Sequence, residues 1–282
     1  MEFYKDSALI YVPDGTPNDE AYARTTHLAI AAHQDDIEIM AIGGILKCYQ
    51  QRDRWFSGVV VTNGAGSPRD GAYRDYTDEE MRRVRVSEQF KAAHLGDYSV
   101  QILLDYTSAE VKDSSKVNTV EDLAAIIKAT NPDIIYTHNL ADKHPTHVAV
   151  AVRTIAALRS LPGEKQPRQL IGCEVWRDLG WMMDEDKVLF NCSSHENLQA
   201  ALVGVFDSQV SGGKRYDLAT MGRRRANATY LASHDVDVAT GMAFGMDLTQ
   251  LVKNPDMDIT EYVMSYIDRF EADVSSLISS MQ

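Results

Sequence analysis

The chain has 282 residues, 44% hydrophobic and 24% charged, which suits a globular protein with one large core. Its net charge of −13 opposes broad attraction to nucleic acid or anionic lipid, so the basic runs Arg82, Arg83, Arg85 and Arg223, Arg224, Arg225 read as solvated helix faces. Cys48, Cys173 and Cys192 are too few and too scattered for a disulfide framework, and neither a signal peptide nor an apolar run of bilayer length is seen; a cytoplasmic protein is expected.

Residues 1–24 carry turn signals (Pro13-Asp14-Gly15, Pro17-Asn18) and read as an irregular leader before a single domain over 25–282. Thr26 to Ala32 is a short apolar run that predicts a buried strand. Ile42, Ile45, Leu46 and Tyr49 then recur at helical spacing. Trp55 to Thr62 predicts a second strand, and the loop Asn63 to Gly71 follows it. Thr77 and Glu80 form a capping box that opens a helix with Met81, Val84, Ala92 and Leu95 on one face, closed near Gly96. Val100 to Leu104 is a third strand, Leu123, Ile126 and Ile127 mark a helix, and Ile134 to Thr137 is a fourth strand. Pro145 stands at the first turn of the next helix. This alternation predicts an α/β fold: Rossmann-like, with a mostly parallel central sheet and helices on both faces. The second half is less regular. Strands are expected near 170–175 and 187–190, and helices near 194–206, 213–232 and 259–279.

In open α/β sheets, ligands bind beyond the carboxyl ends of the strands. Two such places concentrate chemistry. After the first predicted strand come His33, Gln34, Asp35, Asp36, Ile37 and Glu38; crowding these acids is costly unless a helix start or a cation offsets it. After the fourth come His138, Asp142, His144 and His147, although histidine is not favoured at a helix start. If the two strands are neighbours at a switch point, their loop ends face each other. His, Asp and His around one ion, with room for water, describe hydrolytic zinc; the same set describes a non-haem Fe2+ centre. Arg85 and Glu88 lie one turn apart on an otherwise apolar face, as either a structural ion pair or a route from Arg85 to substrate.

These segments resemble a known family. Ala32 to Glu38 (AHQDDIE) is similar to the AHPDDxE motif of the LmbE/PIG-L deacetylases, and His138 to Val150 (HNLADKHPTHVAV) to their second motif with its HPDH core. Arg85 to Gly96 follows the family pattern, and Phe206 to Gln209 does so less specifically. The resemblance implies a zinc-dependent deacetylase of an N-acetylglucosamine-type sugar or conjugate. It implies His33, Asp36 and His147 as metal ligands, Asp35 as general base, a protonated His144 facing the oxyanion, and Arg85 touching substrate. Two residues depart from the pattern. Gln34 replaces a Pro, which either loosens the ligand loop or adds a polar contact. Thr146 replaces the Asp that orients the first histidine of HPDH, so that role is either missing or passes to Asp142.

The alternatives are an iron enzyme using the same His/Asp/His set and a family member that binds metal without catalysis. A nucleotide-binding Rossmann module is disfavoured because His33 to Asp36 occupy the turn where its glycines would lie. The expected partner is a small N-acylated sugar or conjugate, with no nucleic acid and no membrane; a homo-oligomer is compatible with the sequence.

Overall fold

The computed structural model describes residues 1–282. Eight strands form one sheet: β1 (Leu9–Tyr11), β2 (His27–Ala31), β3 (Phe56–Thr62), β4 (Gln101–Tyr106), β5 (Ile134–His138), β6 (Gln169–Cys173), β7 (Lys187–Asn191) and β8 (Met242–Asp247). Their order is β1-β4-β3-β2-β5-β6-β8-β7. The five central strands, β4-β3-β2-β5-β6, are parallel, while β1 joins one side antiparallel, and β8 and then β7 extend the other.

Both faces of the sheet are covered, so its strands read as near-continuous apolar runs. Leu28, Ile30, Val59, Val61, Ile102 and Leu104 belong to a core shared with the helices Asn118–Thr130 and Pro145–Arg159. Their neighbours Ala29, Ala31, Val60 and Leu103 belong to a second core shared with Ile42–Cys48, Asp78–Leu95 and Glu196–Gly204. Period-two alternation along each strand thus divides the apolar residues between the two faces. No helix is long and apolar enough to cross a membrane.

The chain winds outward from β2 through β3 to β4, then returns to place β5 on the other side of β2. The β2–β5 boundary is therefore a topological switch point, where the loops leaving two neighbouring parallel strands diverge and open a crevice. The expected neighbouring of these strands holds, with His27, Leu28 and Ala29 paired to Ile134, Ile135 and Tyr136.

The leader reading of residues 1–24 is corrected. Leu9–Tyr11 pairs with β4, and Asn18–Ala23 forms a helix that buries Ala21 and Tyr22. A three-residue edge strand is too short to display periodicity, and the turn residues around it dominate the local signal. β8 also went unpredicted. Its sequence, Met-Ala-Phe-Gly-Met-Asp, lacks β-branched residues. Its Gly245 serves packing, because a Cβ there would lie 2.5 Å from Ile171 Cγ2 on β6. The basic runs are corrected too: Arg85 and Arg224 are buried at 1% and 3% exposure. Arg224 caps the short helix Asp36–Met40 by donating to the carbonyls of Glu38 and Ile39.

Candidate metal centre

β2 ends at Ala31, and the chain turns through Ala32 to Asp35 into the helix Asp36–Met40. Asp35 occupies the turn at φ 80°, a region that L-residues other than Gly, Asn and Asp rarely adopt. That turn separates two adjacent carboxylates. Asp36 points to a cluster of imidazoles, whereas Asp35 pairs with Arg85 at 2.9 Å. Their titration diverges accordingly. Burial raises Asp35 above the ordinary carboxylate range while Arg85 pulls it back. Burial would raise Asp36 as well, but His147, His138 and His33 hold it well below that range.

The second segment leaves β5 at His138 and enters the helix Pro145–Arg159, which carries His147 in its first turn. His33 Nδ1, Asp36 Oδ2 and His147 Nε2 converge with separations of 3.2, 3.2 and 3.3 Å. Three ligand atoms around a four-coordinate ion, with bonds of about 2.0–2.1 Å, stand about 3.3 Å apart. The triangle fits such an ion with one position left open. Asp142 Oδ2 lies 3.4 Å from His147 Nδ1 and also accepts from Trp176 N–H at 3.1 Å. A carboxylate so placed fixes the tautomer and orientation of the imidazole, the arrangement that supports histidines when they bind a metal. Burial lowers the pKa of His147, but Asp36 and Asp142 lift it to about 9, so the donor set attracts positive charge at this point.

His138 also faces Asp36, at 3.6 Å, yet its Nε2 accepts the Ala32 backbone N–H at 2.8 Å. The lone pair that would bind an ion is thereby occupied. Full burial, the neighbouring His147 and a lesser push from His33 keep His138 neutral. Its structural task is to tie the end of β2 to the end of β5.

His144 is the residue before the helix. Its ring centroid lies 5.0 Å from that of His33 and 4.5 Å from that of His147. Burial and those two imidazoles depress it to about 4, which favours a neutral ring over the protonated one expected from sequence. Its Nδ1 is buried without a partner. Asp142 accepts the backbone N–H of His144 at 3.0 Å and turns its other oxygen to His147. The orienting role lost with Thr146 therefore does not pass to Asp142.

Arg85 is buried beneath the site. It donates to Asp35, to Glu88 Oε2 at 3.2 Å and to the carbonyl of Gln34. Glu88 in turn accepts Ser208 N–H at 2.7 Å and Ser208 Oγ–H at 2.8 Å. The ion pair anticipated between Arg85 and Glu88 is present, and it ties the helix Asp78–Leu95 to the Phe206–Gln209 segment. Gln34 adds a polar contact by donating to the Thr62 carbonyl at 3.3 Å.

Above the donor triangle opens a cavity of about 390 Å³ whose lining includes Asp35, Asp36, His33, His144 and Arg85. Asn63, Gly64 and Ser67 of the loop after β3 form one wall, and Thr146, Trp176, Gln209 and Tyr216 also line the cavity. Sequence reasoning missed Trp176, Gln209 and Tyr216 as wall residues. Trp176 had one readable signal, an aromatic residue just after a predicted strand.

The family of GlcNAc-PI de-N-acetylases, PIG-L, matches residues 28–158, a stretch that holds both ligand segments and Arg85. This match bears out the resemblance to the PIG-L family read from the sequence motifs. An uncharacterized deacetylase of Escherichia coli K12, YaiS, is 28% identical to this chain over 176 residues, covering 62% of the chain and 82% of YaiS. Among solved structures, N,N'-diacetylchitobiose deacetylase from Pyrococcus horikoshii covers 89% of this chain and 93% of its own, with TM-score 0.64 and 14% identity. A conserved protein of Thermus thermophilus gives TM-score 0.60 at 18% identity over 79% of this chain and 94% of its own. The 4-carboxy-2-hydroxymuconate hydratase GalB of Pseudomonas putida gives 0.59 at 15% over 79% and 96%. These structural likenesses, all at low sequence identity, establish the fold alone, and a hydratase shares it.

Proposed function

We propose that this protein is a zinc-dependent N-deacetylase acting on an N-acetylglucosamine-type sugar or conjugate. One observation carries the reading: His33, Asp36 and His147 converge at the switch point with an open fourth position, and Asp35 stands beside them in the same cavity. Two imidazoles and one carboxylate with a position left for water are a donor set that hydrolytic zinc takes, and this supports zinc. The match to the PIG-L family model and the likeness to the deacetylase YaiS support amide hydrolysis.

A divalent ion bound there would lower the pKa of an attacking water and polarise the amide carbonyl. Asp35 takes the proton of that water and returns it to the departing amine. Arg85 holds one Asp35 oxygen, which fixes the carboxylate with its other oxygen free to work. This assigns Arg85 a positioning role in addition to the substrate contact implied by the family pattern. His144, half-buried at the cavity edge, offers a ring N–H toward the carbonyl oxygen as negative charge develops. Trp176 and Tyr216 supply flat apolar faces suited to a sugar ring, while Asn63 and Ser67 supply groups that hydrogen-bond its hydroxyls.

The test is amine release from a panel of N-acetylated sugars and conjugates, using zinc-loaded protein, chelator-stripped protein and stripped protein given zinc back. The expected result is turnover that disappears with the metal and returns with zinc. Asp35→Asn should retain zinc and lose about 10²–10⁴-fold in kcat. Amine release that ignores chelation, or full activity in Asp35→Asn, would refute the assignment.

A further inference from the structure

The last helix, Ile259–Met281, outlasts the body on which it packs. Val263 and Tyr266 are buried, Tyr262 donates to the Asp247 carbonyl at 2.7 Å, and Arg269 pairs with Asp186 at 2.7 Å. From Glu271 onward every residue is exposed. The free portion projects about 16 Å at the rise of an α-helix. Three turns standing alone in water are marginal without a partner.

The sequence of that portion is not that of a solvated helix. Val263, Ile267, Phe270, Val274, Leu277 and Met281 follow one another at alternating intervals of four and three residues. This is the 3.5-residue repeat of a left-handed coiled-coil seam. The stripe that enters the core at Val263 runs on, unbroken, into solvent. Phe270 is 39% exposed, Val274 38%, Leu277 58% and Met281 79%, with Ile278 flanking the seam at 54%.

We propose that a second copy of this chain covers the seam, the two helices forming a short parallel coiled coil that makes the protein a homodimer. β-branched Ile267 and Val274 fall at the a positions, with Phe270 and Leu277 at d, the distribution that favours two parallel strands. In that register Asp273 faces Ile278 of the second copy, and the position opposite Glu271 is Tyr266, which is buried in its own chain, so no two like charges meet across the seam. The exposed apolar side chains amount to roughly 500 Å² per copy and on the order of 1,000 Å² when paired, the size at which specific interfaces begin. A lipid surface is a poorer occupant. Arg269 is the last basic residue of the helix, and the free portion carries Glu271 and Asp273, opposite to the basic polar face of interfacial helices.

Sedimentation velocity of the full chain at tens of micromolar tests this. The expected mass is twice 31.4 kDa. Val274→Glu/Leu277→Glu should sediment as a monomer with unchanged secondary structure by circular dichroism and unchanged turnover, and Ser279→Glu, on the outer face, should remain a dimer. Because all three native cysteines are buried, Leu277→Cys offers a single accessible thiol and should cross-link copy to copy under mild oxidation. A monomeric native chain, a dimer that survives the double substitution, or a Leu277→Cys dimer that fails to cross-link would overturn the proposal. So would native protein that stays monomeric and floats with phosphatidylserine vesicles through this helix.

Discussion

His33 and His138 both face Asp36, but only His33 presents a free lone pair, so substituting them should have opposite effects on metal content. His33 Nδ1 is 3.2 Å from both Asp36 Oδ2 and His147 Nε2, a separation that one four-coordinate ion bridges. His138 Nε2 is committed to the Ala32 N–H at 2.8 Å. Losing a second-sphere partner of a ligand costs about 10–100-fold in metal affinity, so losing a direct ligand should exceed roughly 100-fold, or about 2.7 kcal/mol. His33→Ala should therefore emerge from gel filtration nearly metal-free. His138→Gln should keep one zinc per chain, because a side-chain amide oxygen can still accept the Ala32 N–H. His138→Ala should keep zinc as well but lose about 1–3 kcal/mol of stability, the cost of an unsatisfied buried donor. Elemental analysis reads the metal, and urea unfolding of the stripped proteins reads the stability. If His138→Gln releases zinc while His33→Ala holds a full equivalent, the ligand assignment is wrong and the donor triangle does not describe the bound centre.

Three further outcomes follow from the same geometry. Asp142→Asn removes the carboxylate behind His147 and should weaken zinc binding about 10–100-fold, read by competition with a chromogenic chelator; an unchanged affinity would show that Asp142 does not support the ligand. Gly64 has φ +70° and a Cβ there would lie 2.3 Å from Gln34 Oε1, so Gly64→Ala should cost about 1 kcal/mol or more. Part of that cost should return in Gly64→Ala/Gln34→Ala, and strictly additive energies would exclude the clash. His27, far along β2 from the site, is depressed from 6.5 to about 4 by burial and by the charge of Lys47. The unfolded chain then binds its proton first, so the contribution of a neutral His27 is intact above pH 6.5 and is lost progressively toward pH 4, on the order of 3 kcal/mol in full. His27→Gln should narrow the stability gap between pH 7 and pH 5 relative to the native chain, and parallel pH profiles would contradict this.

Much of the site was legible because its chemistry is local in sequence. A histidine followed by two acids after one apolar run, and three histidines after another, are unusual enough to stand out at single-residue resolution. Their meeting required only that two strands be neighbours, which the β-α alternation makes a natural expectation. Asp142 was visible only as a nearby acid; its assignment to His147 rather than His144 depends on a rotamer that no spacing encodes. Charge counting carries no direction: a run of three bases put Arg224 on the surface although it turns inward, and for Arg85 only the spacing to Glu88 on an apolar face offset the same misreading. β1 and β8 escaped for the opposite reason: one is too short to be periodic, and the other draws its order from Gly245 packing against β6 rather than from β propensity.

The division between what was legible and what was not also separates reaction from recognition. The donor triangle, Asp35 and Arg85 all come from the segment that matches the family model, and the proposed reaction rests on these few residues. Trp176, Gln209 and Tyr216, which shape the far wall, come from outside it, on connections whose positions depend on how the second half packs. A fold that carries both deacetylases and a hydratase cannot choose the reaction by architecture alone. On the proposed reading the choice lies at the β2–β5 boundary: Asp35 beside a bound ion would suit activation of water against an amide, and removing that carboxylate should abolish turnover without loss of zinc binding. The wall residues should behave differently. Trp176→Ala should raise KM for a sugar conjugate while leaving zinc content intact, since its ring lies beyond the ligands and only its backbone N–H supports Asp142. A fall in kcat at unchanged KM would move Trp176 from the recognition half of the site to the reacting half.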